Sequence, residues 1–159
     1  MIDPVEFKRW VVEPVLRFLG MHSLSAERLV VGTAAVESGL SHLVQLGGGP
    51  ALGVYQIEPE THRDIWDTYL AYRPELASKV RSLASQHWFD DDPDRELICN
   101  LSYSTAICRL KYYRIKAPLP DANDIQGLAN YWKQYYNTKR GKGRVDDFYM
   151  KFPDEIMVQ

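Results

Sequence analysis

Prolines placed at helix starts set the tightest limit on how this chain can fold. Proline holds φ near the helical value and has no N–H, so it suits a first helical turn and breaks an interior. "DPVEF" puts Asp3 as a cap ahead of Pro4. "EPET" and "RPEL" restart helices at Pro59 and Pro74, and "DDPDRELI" offers Asp92 as cap with Pro93 at the first position. Pro14 stands inside an apolar run and is expected to kink or split it before Gly20 ends it.

Between these marks the apolar spacing is helical almost throughout. Ser23 or Ser25 caps a second element, in which Leu29, Thr33, Val36 and Leu40 step along one face. Leu97, Leu101, Thr105 and Cys108 predict a long central helix. Asp124 caps "IQGLANYWKQYYN", and "VDDFYMKF" makes a short last helix. Residues 41–53 hold four glycines and a proline and read as loop. The 159 residues suit one core and are too few for two comfortable ones. The expectation is a mainly α single domain over residues 1–159, with room for a short β excursion around residues 43–57.

The net charge of −2 argues against a strong general attraction to nucleic acid. No window reaches the roughly 18 apolar residues of a membrane span, so no membrane insertion is expected. The N-terminus has an early acid and no apolar core, unlike a secretory signal, so synthesis in the cytoplasm is expected. Cys99 and Cys108 are nine residues apart. In a helix that is a rise of about 13.5 Å, so they are expected to be two reduced thiols. His22, His42, His62 and His87 make no i,i+4 pair, so no helical metal motif is visible and no cofactor is implied. "LGGGPALG" lacks the Lys-Ser/Thr of a phosphate-binding loop.

The residue with the most chemical promise is Glu37. A glutamate near the buried face of an apolar helix is costly to ionise, and its pKa rises toward that of a general acid. The plainer reading is an exposed helix-end glutamate paired with a base. Gln56 can donate and accept toward an amide or a sugar hydroxyl, and Tyr55 can stack or pack in the core. Glu58 and Glu60 flank Pro59, where acids suit a helix start. No aspartate lies between Glu37 and Asp64.

"Glu37-Ser38" followed by "Gly53-Val54-Tyr55-Gln56-Ile57-Glu58-Pro59-Glu60-Thr61" resembles the Glu-Ser and Gly-Leu-Met-Gln-Leu-x-Pro-x-Thr signatures of lysozyme-like soluble lytic transglycosylases. "DPDRELICNLSYSTAICRL" is similar to that family's Asp-Pro helix leading to an Asn and then a Tyr. "ANYWKQYYNTKRGKGRVDDF" is similar to its Ala-x-Tyr-Asn-x-Gly-x-Gly-Arg-Val-x-x-Phe segment. The matches run in the family's order over about residues 30 to 148. Three features depart from the pattern. Tyr55 replaces Met, Tyr136-Asn137 stands several residues before the next glycine, and Gly47-Gly48-Gly49-Pro50 replaces a Ser-x-x-Gly-Ala type loop. The overall style is that of a phage-encoded member.

The resemblance implies a lysozyme-like fold and cleavage of the peptidoglycan strand between N-acetylmuramic acid and N-acetylglucosamine. Glycosidic cleavage normally uses two carboxylates. The missing aspartate implies that the substrate's own N-acetyl group assists. Glu37 would protonate the leaving oxygen and then deprotonate the 6-hydroxyl, closing a 1,6-anhydro ring. Ser38, Tyr55, Gln56, Tyr103, Tyr136 and Asn137 are the expected substrate-binding residues. Lys139, Arg140, Lys142 and Arg144 are either a solvated loop or contacts for anionic wall groups. The partner implied is the peptidoglycan strand, reached within a phage particle alongside other virion proteins, through a membrane lesion, or in a secretion assembly. A hydrolytic muramidase and an inactive virion structural or glycan-binding module remain open alternatives.

Overall fold

A computed structural model describes residues 1–138 and 141–158. The chain opens with α1 (Pro4–Phe7), where Asp3 Oδ1 accepts the N–H groups of Val5 and Glu6 at 3.0 Å each. Pro14 does not end the helix. A π-helical turn, Lys8–Val12, carries it into α2 (Glu13–Phe18), and the Glu13 N–H reaches back to the Lys8 carbonyl. The wider turn makes room for a ring that would otherwise press on the carbonyl four residues back.

Ser23 caps α3 (Leu24–Ser38), its Oγ accepting the Ala26 N–H at 3.0 Å. Gly39, in the left-handed conformation at φ +62°, closes the other end. The one-faced α3 expected from its spacing is corrected here. Every residue from Ala26 to Ala35 is buried, because α1 and the later helices Leu101–Tyr113, Ile125–Trp132 and Val145–Lys151 surround the helix. Gly32 permits this. A β-carbon there would run into the Phe148 ring and lie 3.1 Å from Phe152.

Residues 41–58 form an irregular crossing, and the expected β excursion shrinks to two isolated antiparallel bridges, Val44 with Leu52 and Leu52 with Ile57. Gly53 anchors it at φ +76°, where an added β-carbon would strike the Leu97 carbonyl oxygen. The proline-started helices follow as α4 (Pro59–Thr68) and α5 (Pro74–Leu83), with a 3₁₀ turn at Leu70–Tyr72 between them.

The single helix expected from Pro93 is instead two, α6 (Arg95–Cys99) and α7 (Leu101–Tyr113). Asn100, extended at φ −121° and ψ 96°, separates them and caps α7 by accepting the Tyr103 N–H at 3.0 Å. Its Nδ2 donates to the Leu83 carbonyl and to buried Glu96. Asp94 is drawn away from capping by His62. Cys99 is exposed and Cys108 buried, and both are free thiols.

Asp124 caps α8 (Ile125–Trp132) through the Gly127 N–H, and a second π-helical segment, Lys133–Asn137, continues it. The chain ends with α9 (Val145–Lys151) and a 3₁₀ turn at Asp154–Met157. The result is a mainly helical, single compact domain. Among the described residues no helix is long and apolar enough to cross a membrane.

Candidate active site

Glu37 stands in the last turn of α3, at the negative end of that helix dipole. It is largely buried, and burial is the main cause that raises its pKa. One donor opposes the rise: Trp132 Nε1 donates to Glu37 Oε1 at 3.0 Å. The charges of Lys111 and Lys151 oppose it further and more weakly. The net direction is still upward. The charged groups that act on Glu37 most strongly, Lys111 and Lys151, are both cations. Among the described residues, its second oxygen has no hydrogen-bond partner.

Ser38, next in the chain, is buried and its hydroxyl is committed to the framework. It sits 2.6 Å from the Val54 carbonyl and 3.1 Å from that of Ala34, and it accepts the Leu40 N–H at 3.2 Å. This stitches the Glu37 end of α3 to the turn at residues 53–57. The other side of that turn is held by Tyr136, whose hydroxyl donates to the Tyr55 carbonyl at 2.5 Å. Tyr136 also stacks on Tyr112, with ring centroids 5.1 Å apart. The Tyr112 hydroxyl meets Thr33 Oγ1 of α3 at 2.7 Å. Tyr55 is fully buried, its hydroxyl 2.8 Å from Thr105 Oγ1. The stretches carrying Glu37-Ser38, Tyr55-Gln56 and Tyr136-Asn137 are therefore brought together by direct hydrogen bonds.

Within this frame two of the expected ligand residues keep usable atoms. Gln56 is partly exposed and holds a left-handed backbone, φ +49°, which a side chain rarely adopts. Such strain concentrates at functional positions. Its Nε2 donates to the Gly53 carbonyl at 2.9 Å, leaving Oε1 without a partner among the described residues. Asn137 ends the π-helical segment, whose wider turn is closed by the Thr138 N–H on the Lys133 carbonyl. It does not act as a helix cap; its Oδ1 accepts Lys133 Nζ at 2.7 Å. A β-carbon at Gly143 would press on Trp132 and Asn137, so Gly143 lies close against both.

Ser38, Tyr55 and Tyr136 present almost no surface, and their part is to position the turn rather than to touch a ligand. Tyr103 is corrected more strongly. It is fully buried in a different cluster, where Trp66 Nε1 donates to its hydroxyl at 2.8 Å. The hydroxyl in turn meets His62 Nε2 at 2.6 Å, and His62 Nδ1 meets Asp94 Oδ1 at 2.9 Å. With Trp66 donating to it, the tyrosine gives its proton to Nε2, and His62 carries its own on Nδ1 toward Asp94. Burial lowers the His62 pKa, against the opposing pull of Asp94.

Three neighbours of Glu37 escaped the sequence reading: Trp132, Lys111 and Lys151. Trp132 lies one turn before Tyr136, and that spacing was the available signal. Lys111 is largely buried, donates to the Tyr136 carbonyl at 3.0 Å and sits 3.7 Å from the centre of the Tyr136 ring. Glu58 and Glu60 are exposed at the start of α4, as helix-start acids are. Lys139 and Arg140 lie outside the described residues, and Lys142 and Arg144 belong to the loop that leads into α9. Compared with known proteins, the chain matches no family model, no curated protein and no solved structure.

Proposed function

We propose that this chain is a lysozyme-like peptidoglycan lytic transglycosylase, with Glu37 as its single acid and base. The observation that carries the reading is the state of Glu37. It is a largely buried carboxyl at a helix end, held by one indole N–H, raised in pKa, and acted on by the charges of two lysines. A carboxyl of that kind retains its proton nearer neutrality and can give it to a leaving glycosidic oxygen. Once ionised, it is stabilised by Trp132 and the two lysines, and it can accept the proton of the sugar's 6-hydroxyl. The bond that breaks is C1–O4, and the bond that forms is C1–O6. The proton lent to O4 returns from O6, so no water is consumed. With no aspartate between Glu37 and Asp64 in the chain, the substrate's acetamido oxygen supplies the stabilisation at C1 that a second carboxylate gives elsewhere. Gln56 Oε1 and the Asn137 amide are the groups suited to hold that acetamido group and its neighbours.

Digestion of purified peptidoglycan followed by mass spectrometry of the fragments tests the reading. The expected products carry 1,6-anhydromuramoyl ends. Reducing ends would instead make the enzyme a hydrolytic muramidase of the same fold. Wall binding without any cleavage, equal in wild type and Glu37→Gln, would make it a glycan-binding module.

A further inference from the structure

A second cluster of ligand-bearing side chains lies away from Glu37. Glu13 on α2, His22 in the turn after it and Glu27 in the first turn of α3 approach so closely that one ligand atom from each lies within 4.8 Å of the others. All three line a cavity of about 390 Å³ at the N-terminal arm, which they share with the cationic side chains of Lys8, Arg9 and Arg17. We propose that they form a divalent transition-metal site, with Zn²⁺ the fitting ion.

Two observations point to an ion rather than to a plain acid–base contact. The first is the buried carboxylate of Glu27. Its side chain is 4% exposed, and among the described residues its only polar partner is His22. Its carboxylate borders the cavity, where an ion reaches it. The second is the length of that contact. His22 Nε2 stands 3.4 Å from Glu27 Oε1. A charge-assisted N–H···O bond closes to about 2.7–2.9 Å. Two ligands of one tetrahedral zinc, each about 2.0–2.1 Å from it, stand about 3.4 Å apart. The pair is too wide for a strong hydrogen bond and has the width of two donors sharing an ion.

Glu13 completes the set. Arg17 Nε holds its Oε1 at 3.1 Å, which leaves Oε2 for the ion, and the Arg17 side chain is 60% exposed and free to turn to solvent. One imidazole and two carboxylates suit zinc-class ions better than Mg²⁺, which keeps an oxygen-only, largely hydrated shell. The three ligands come from separate segments, so a bound ion would staple α2 and its turn to the start of α3. None of the residues around Glu37 takes part, and the site stands whether or not the chain cleaves glycan.

The test is calorimetric titration of ZnCl₂ into the full chain after dialysis against EDTA, with MgCl₂ as comparator. The expected result is one Zn²⁺ per chain and no Mg²⁺ binding. Melting should rise by about 5–10 °C at a hundredfold excess of Zn²⁺ over its Kd. His22→Gln and Glu13→Gln, both at partly exposed positions, should each weaken Zn²⁺ at least tenfold. Glu27→Gln should do the same, and if it fails to fold the other two variants decide. No Zn²⁺ binding by the wild type, or binding undiminished in both His22→Gln and Glu13→Gln, overturns the proposal.

Discussion

Glu96 and Glu37 are held in opposite ways. Glu96 is fully buried in α6, yet both of its oxygens are satisfied: Ser85 N–H donates to Oε1 at 2.8 Å and Asn100 Nδ2 to Oε2 at 2.7 Å. Those bonds tie the end of α5 to the junction of α6 and α7. Glu37 is less deeply placed but receives one hydrogen bond, from Trp132. A carboxylate given enough donors is a structural pin. A carboxylate buried with too few is poised to hold a proton and to lend it. The number of donors, more than the depth of burial, separates the two roles.

The comparison breaks first at Glu37→Gln. Loss of the acid is expected to lower peptidoglycan cleavage by about a hundredfold to ten-thousandfold, measured as turbidity clearing. Stability should move the other way. Because folding raises the Glu37 pKa, the carboxyl's favourable contribution is intact below the ordinary carboxylate pKa. It is lost as pH climbs through the raised value. Near neutrality the amide should therefore melt no lower than wild type. A clear drop in melting temperature would place Glu37 with Glu96 as a structural acid. Glu96→Gln is the mirror experiment. An amide cannot accept both donors, so about 2–3 kcal/mol of stability should disappear. That is roughly 5–10 °C in melting temperature for a chain of this size. Cleavage per folded molecule should stay close to wild type, and its collapse would contradict the division drawn here.

The two glutamates were not equally legible in the sequence, and the reason is range. Helix starts at Pro4, Pro59 and Pro74 depend on adjacent residues, and the structure has them where the prolines stand. Pro93 fails the same rule. Asp94 answers to His62, 32 residues away, and Glu96 draws Asn100 out of helical geometry, so the helix begins late and breaks once. The alternating roles of Tyr103 and Tyr136 were hidden for the same cause. Both tyrosines follow from local pattern, but only the tertiary fold decides that one faces His62 and Trp66 while the other pins the turn at Tyr55. Glu37 itself was legible as a lone acid at the end of an apolar helix. Its indole partner lies 95 residues further on, beyond any spacing rule. Glu13 and Glu27 lie on either side of the turn at Gly20, and only the fold brings both to His22.

Trp132→Phe sharpens the comparison by removing the one donor Glu37 has. The lost hydrogen bond and the void left by the missing ring of this fully buried side chain should together lower stability by roughly 2–3 kcal/mol. The indole lowers the Glu37 pKa, so its loss should raise it further. For a general acid, activity declines as pH rises through its pKa, and the alkaline limb of the rate profile should move to higher pH. A limb that stays in place would mean that another group sets it.

Lys111→Met carries the same logic at smaller scale. Its ammonium acts on Glu37 through space and less strongly than the Trp132 hydrogen bond. The alkaline limb should again move upward, by less than in Trp132→Phe. Stability should change little, because two effects oppose. Burial already lowers the Lys111 pKa, so removing the charge relieves a desolvation cost, while the Tyr136 carbonyl loses its donor. Lys151→Met should move the limb least of the three, since its charge is the weakest of the causes acting on Glu37. The ranking Trp132, Lys111, Lys151 is the sharp form of the argument. If the lysine variants move the limb further than Trp132→Phe, then charge rather than donor count governs Glu37, and the contrast with Glu96 has to be redrawn around the two ammonium groups.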